Sequence, residues 1–193
     1  MMRINPSKKS REMPMMESSN ISSKNEIKAP MVREFLDQRR EILYKILKES
    51  IADFPGAEIS VSIDMVTVKI DSVHLAEVCE LLKFAEKFGF DYLSSITVVD
   101  YEEEQERFEM VYHLISIRRH HKMAIKVSLP SNDPTVPSVL SIWKSADWFE
   151  REAHDLFGIK FEGRENLPPL LLFEGFEGYP GRKSYPFYDY GEW

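Results

Sequence analysis

The stretch "EREAHDLFGIKFEG", residues 150–163, sets Glu150, Arg151, Glu152, His154 and Asp155 within six positions and then turns apolar. Carboxylates and a histidine at this density are the material of metal binding or acid–base catalysis. Glu150 and His154 stand at i, i+4, with Glu152 and Asp155 beside them. A zinc-hydrolase helix needs two histidines at that spacing, and this segment holds one. His113, His120 and His121 fall in no recognisable ligand spacing. A metal-dependent hydrolase using Glu150, Glu152, His154 and Asp155 stands as the alternative. The reading preferred here is a helix surface with salt bridges from Arg151 to Asp155 and from Glu150 to His154.

Other chemistries find less support. Cys79 is the single cysteine, which excludes a disulfide framework and any iron–sulfur cluster held by four thiolates of this chain. It lies in a helical pattern with no base beside it and is expected to be a small buried hydrophobe rather than a nucleophile. Gly175, Gly178 and Gly181 in "EGFEGYPGRK" precede aromatic and proline residues instead of a helix, so the dinucleotide fingerprint fails. A net charge of -7 argues against a nucleic-acid partner. Apolar runs such as "PLLLF" fall far short of the roughly 20 residues of a membrane-crossing helix, so a membrane is expected to matter only through a partner.

The elements that must position the cluster follow from periodicity. Val32, Phe35, Leu36, Leu43, Ile46 and Leu47 recur at three- and four-residue steps, predicting a helix from Met31 with one buried stripe. Ile59, Val61 and Ile63, then Val66, Val68 and Ile70 on the other parity, predict a hairpin turning near Asp64. Leu75, Val78, Leu82 and Ala85 stripe a second helix that Gly89 is expected to close. "YLSSITVVDY", "RFEMVYHLISI" and "MAIKVSLP" read as strands, the last two an antiparallel pair joined by "RRHHK". The prolines of "PSNDPTVPSVLSIW" end the sheet. In the motif helix, Asp147 three residues before Glu150 suggests a capping box, Phe149, Ala153 and Leu156 form its apolar face, and Gly158 supplies the stop.

The ends differ from this middle. Residues 1–30 carry six Lys and Arg against three Glu, with no apolar stripe, and are expected to form a disordered tail. Glu12, Glu17 and Glu26 count against a transit peptide, no apolar stretch serves as a signal peptide, and Met31 is an alternative start. Residues 173–193 carry eight aromatics among Gly and Pro, a composition that calls for another surface, either the chain's own domain or, preferred here, a partner. The expected organisation is a tail at 1–30, an α/β domain at 31–162 and an extended docking arm at 163–193. The fold class is α+β, an antiparallel or mixed sheet of about four to five strands with helices packed on it.

"EREAHDLFGIKFEG", "LPPLLLFEGFEG" and "YPGRKSYP", in this order, resemble the NuoC-type, or 30 kDa, subunit of respiratory complex I and its hydrogenase relatives. Glu150, Arg151, Glu152, Asp155, Leu156 and Phe157 match the family's motif, Pro168 and Leu170 match after the gap, and "GYPGRKSYP" resembles its closing segment. Similarity reaches upstream through "FDYLSSITVVDY" and "DPTVPSVLSIW", covering roughly residues 57–188. Arg164 stands where the family usually has histidine, and "PPLLL" replaces its arginine pair.

The resemblance implies a scaffold subunit with no catalytic, cofactor or metal residue of its own. It implies a peripheral place on the cytoplasmic side of a prokaryotic membrane. The partners it implies are cluster-bearing NuoB-like and NuoD-like subunits, the latter of the 49 kDa or hydrogenase-large type, which would hold the iron–sulfur clusters and the quinone site or NiFe centre. The expected interface residues are Glu150, Arg151, Glu152, Asp155, Phe157, Gly158, Arg182, Lys183, Tyr185 and Pro186, with Arg182 and Lys183 meeting acidic groups on the neighbour. The complex would be a quinone oxidoreductase coupled to ion translocation or, alternatively, an energy-converting hydrogenase or formate hydrogenlyase.

Overall fold

Alternating β-branched and aromatic residues build the sheet, and helical stripes close over it. The computed structural model describes residues 29–62, 64–165 and 167–186, with the backbone alone for 29–37. The elements run α1 (Ala29–Ile51), β1 (Glu58–Val61), β2 (Val66–Ile70), a 3-10 turn (Ser72–His74), α2 (Leu75–Phe84), β3 (Tyr92–Tyr101), the single-turn α3 (Glu102–Gln105), β4 (Arg107–Ser116), β5 (His121–Pro130), β6 (Thr135–Pro137), α4 (Ala146–Phe157) and β7 (Lys160–Glu162). Residues 1–28 of the tail, the Val32–Phe35–Leu36 part of the first stripe and the arm's end at 187–193 lie outside what is described at side-chain level.

The five-stranded sheet has the order β1-β2-β5-β4-β3. Its pairs are antiparallel except β2 with β5, whose parallel register sets Val68 beside Ile125, so the sheet is mixed. Leu43, Leu47 and Ile51, four residues apart on α1, are buried where that helix packs on β1, β2 and β5. Leu75, Val78, Cys79 and Leu82 bury the stripe of α2. That helix stops earlier than Gly89: Ala85 is its C-cap, and Gly89, at φ +58°, closes the following turn with its N–H on Ala85 O. The chain needed one further turn to swing Phe88 and Phe90 into the core before β3 begins.

A second, two-stranded sheet pairs β6 with β7 in parallel. Parallel neighbours require a crossover, and α4 is that crossover. The three prolines therefore end the large sheet but also start a small βαβ unit, which the sequence reading lacks. Trp143, just before α4, anchors the unit by donating its indole N–H to Phe90 O (3.1 Å) in the core.

A polar clamp that seats the C-terminal arm

The motif helix α4 is not capped by a box. Its N-cap is Ser145, which makes no side-chain cap bond, and Asp147 and Glu150 lie inside the helix. Glu150 turns inward and is fully buried. Its Oε1 accepts the Val139 N–H (2.8 Å), and its Oε2 accepts the Ser138 hydroxyl (2.7 Å) and Arg164 Nη1 (3.1 Å). Arg164 also pairs with the Asp147 carboxylate. One carboxylate thus ties the segment before α4 to the loop after β7, satisfying the charge that burial would otherwise penalise.

Asp155, one turn on, is also buried. Its Oδ2 accepts three consecutive backbone N–H groups, from Leu170 (2.7 Å), Leu171 (2.9 Å) and Leu172 (3.3 Å). Burial alone would raise its pKa, but the bonds from Leu171, Leu170 and Leu172, with His154 nearby, outweigh burial and hold it below the usual carboxylate value. Arg151 completes the grip by donating to the carbonyls of Pro168 (3.1 Å) and Pro169 (2.7 Å) while lying over the Trp148 ring at 5.4 Å. Prolines offer only carbonyls, and the guanidinium fork matches two of them.

The arm then folds back on its own domain. Gly158 ends α4 in the left-handed conformation, φ +73°. A β-carbon there would lie 2.6 Å from the Tyr179 ring, so this close approach and the backbone both demand glycine. The Gly181 N–H reaches Leu156 O (2.9 Å), and Arg182 Nε donates to Phe157 O (2.8 Å). The Arg182 guanidinium lies between the Phe108 and Tyr179 rings and pairs with Glu102 (3.5 Å). The Lys183 N–H bonds Asp100 Oδ2 (2.7 Å), and Tyr185 stacks on Phe176 with centroids 6.2 Å apart.

Several expectations change. Arg151 does not bridge to Asp155, nor Glu150 to His154, because both carboxylates are already occupied by N–H donors; His154 Nδ1 instead donates to Ile159 O (2.9 Å). Glu150 and Asp155 belong to the buried side of α4, not to a polar face. Glu152 is exposed and has no partner among the described residues. Arg182 pairs with Glu102 of its own chain, and the Lys183 backbone N–H is held by Asp100. Within the arm, Gly181, Arg182, Lys183 and Ser184 bond residues of their own domain. A metal would have to displace the donors that occupy both oxygens of Glu150, and among the described residues no three His, Cys, Asp or Glu side chains converge. Burial, then the charge of Glu80, pushes the Cys79 thiol far up, so it holds no thiolate. Sequence reasoning missed Asp100 and Glu102 as the arm's receptors. The available signal was an acid ending an otherwise apolar strand, "TVVDY".

Residues 68–191 match the model of the respiratory-chain NADH dehydrogenase 30 kDa subunit, which is well over half of the chain. The chain belongs to this family. An NADH-quinone oxidoreductase subunit of this type from Coxiella burnetii is 38% identical over 155 residues, spanning 64% of this chain and 68% of its own length. Among solved structures, the trypsin-resistant fragment of Nqo5 shares 31% identity at a TM-score of 0.54, covering 65% of this chain and 99% of the fragment. A chain of the membrane-bound sulfane sulfur reductase, an archaeal respiratory membrane complex, shares 27% identity at a TM-score of 0.63, covering 74% of this chain and 84% of that one. The mixed α+β architecture agrees with the subunit fold. Among the described residues no helix is long and apolar enough to cross a membrane.

Proposed function

We propose that this family member is a non-catalytic scaffold subunit in the peripheral arm of a complex I-like oxidoreductase. The complex would pass electrons from NADH or another donor to quinone and couple the transfer to ion translocation. One observation carries the reading: the buried carboxylates Glu150 and Asp155 and the half-buried Arg164 are engaged by hydrogen-bond partners of this same chain, so the motif shapes the arm rather than a reaction centre. The redox groups, iron–sulfur clusters and quinone, would then belong to NuoB-like and NuoD-like neighbours on the cytoplasmic side of the membrane. A second reading is the same subunit type in an energy-converting hydrogenase or formate hydrogenlyase; the likeness to a chain of the membrane-bound sulfane sulfur reductase, an archaeal respiratory membrane complex, supports placing it in a respiratory membrane complex other than complex I.

The test is purification of the tagged chain from its native membranes in mild detergent, with its companions identified by mass spectrometry. Iron–sulfur and quinone-site subunits are expected, and a hydrogenase-type large subunit would select the second reading. A chain recovered alone and soluble would end both. Arg151→Ala is expected to lower the amount of assembled complex while leaving turnover per assembled complex near normal.

A further inference from the structure

Away from the clamp, at the turn of the β4–β5 hairpin, a chain of net charge -7 gathers positive charge. Arg118 and Arg119 line a half-open cavity of about 400 Å³, together with Lys83 on α2, Glu86 and Gly89 in the turn after it, and Ser116 at the end of β4. The donors of the three cations are largely unused. Arg118 has no partner among the described residues. Arg119 Nη2 donates to the Glu86 carbonyl and Lys83 Nζ to the Ile142 carbonyl, one bond each, where a guanidinium carries five N–H donors and an ammonium three. The one carboxylate in the cavity wall is that of Glu86.

Ser116 makes this more than a basic surface. It is fully buried, and its Oγ finds no hydrogen-bond partner among the described residues. A buried hydroxyl left unpaired is costly, and this one faces Gly89 on the cavity wall, where an added β-carbon would stand 3.8 Å from it. Its cross-strand neighbour His121 likewise keeps a buried, unpartnered Nδ1. Burial first, then the charges of Arg119, Arg39 and His120, hold the His121 pKa below its ordinary value, so the field at this end of the sheet is positive. We propose that the cavity binds the phosphoryl group of a phosphate ester, with Arg118 and Arg119 on its oxygens, Lys83 adding charge and the Ser116 hydroxyl donating from the wall. Three cations and a hydroxyl offer more donors than the two oxygens of a carboxylate can take, whereas a phosphoryl group brings three oxygens and a charge near about -2. The volume leaves room for the organic part of the ester, to which the lining residue Phe84, 69% exposed, presents an apolar surface. The site requires no other subunit. A soluble ester and a phospholipid headgroup both carry the group, and the test separates them.

The isotope-labelled full chain is titrated with glycerol phosphate at constant ionic strength and, separately, mixed with phosphatidylcholine vesicles with and without phosphatidic acid. Saturable shifts of the amides of Gly89 and residues 116–119 are expected with glycerol phosphate. The same shifts with phosphatidic acid vesicles alone would keep the phosphoryl site and make a headgroup its source. Arg118→Ala removes an exposed side chain that has no partner to lose, and is expected to weaken binding about tenfold. Ser116→Ala is expected to weaken it severalfold without lowering the urea midpoint, since the hydroxyl it removes is unpaired. Lys122→Ala, on the same hairpin but paired with Asp64, is expected to bind as the unaltered chain does. Equal shifts from acetate, wild-type affinity in Arg118→Ala, or no saturable shift with either probe would each overturn the inference.

Discussion

The five-stranded sheet and the α4–arm region are held together by different physics. In the core against the sheet, Phe88, Phe90, Phe108, Leu82 and Ile125 are fully buried, and stability there comes from removing apolar surface from water. In the arm, Leu171 and Phe173 are more than half exposed, and position is fixed by carboxylates that gather backbone N–H groups, Asp155 for residues 170–172 and Asp100 for Lys183. Apolar burial tolerates approximate geometry and has no pH dependence of its own. A carboxylate clamp is directional, local and titratable. The fold thus combines a core that sets overall stability with an appendage whose conformation is specified by a few polar contacts.

The largest expected effect would break the separation. Phe108 belongs to β4 yet touches the Phe157 ring edge-on and lies beneath Arg182 at 5.0 Å. Phe108→Ala is expected to lower global stability by about 3–5 kcal/mol and to free the arm as well, read by urea unfolding alongside amide exchange at residues 181–185. A variant that loosens the core and leaves the arm protected would show the two regions to be more independent than the packing implies. Next comes Glu150→Leu, which strands Arg164 and the Val139 N–H and is expected to cost about 2–4 kcal/mol. The double variant Glu150→Leu, Arg164→Leu should recover part of that loss. Equal urea midpoints for the single and double variants would mean that Arg164 finds its stabilisation in Asp147 alone.

The sheet was legible because its determinants are periodic. Val66–Val68–Ile70 and the β4–β5 pair read directly as alternation, and the strand positions are where the sequence places them. The parallel pairing of β2 with β5 was not legible, since it joins segments more than fifty residues apart. The three-residue strands β6 and β7 were too short to alternate, and prolines masked the first of them. At the site, Gly158 as the helix stop was readable from local chemistry. The inward turn of Glu150 and Asp155 was not, because Asp155 is held by the backbone N–H groups of Leu170–Leu172, which leave no mark on the sequence, and Glu150 by the Val139 N–H together with Ser138 and Arg164, which stand outside the helix at no helical spacing. An acid on a helix looks solvated unless its partner is a recognisable side chain.

Gly158→Ala would sharpen the comparison from the arm's side. The added methyl meets the Tyr179 ring, and the left-handed backbone itself costs a non-glycine residue about 1–2 kcal/mol. The expected outcome is a modest drop in urea midpoint with a much larger rise in tryptic cleavage at Arg182 and Lys183. Unchanged cleavage would mean that Tyr179 yields without releasing the arm.

The smallest effect is also the most diagnostic, because only the arm should show it. Asp155 has a folded pKa below its ordinary value, so its contribution is complete above the unfolded carboxylate pKa of about 3.9 and is lost as pH falls through the folded value. Amide protection at Leu170, Leu171 and Leu172 is therefore expected to be constant from neutral pH down to about 4 and to fall below it, while Val68 and Ile125 in the sheet keep theirs. Asp155→Asn removes the charged acceptor and should leave those three amides weakly protected at every pH, by about 1 kcal/mol, with the acid-dependent step gone. If protection at 170–172 persists in acid, or the acid step survives in Asp155→Asn, the segment is held by packing of Leu170 and Leu172 instead, and the arm would obey the same physics as the core.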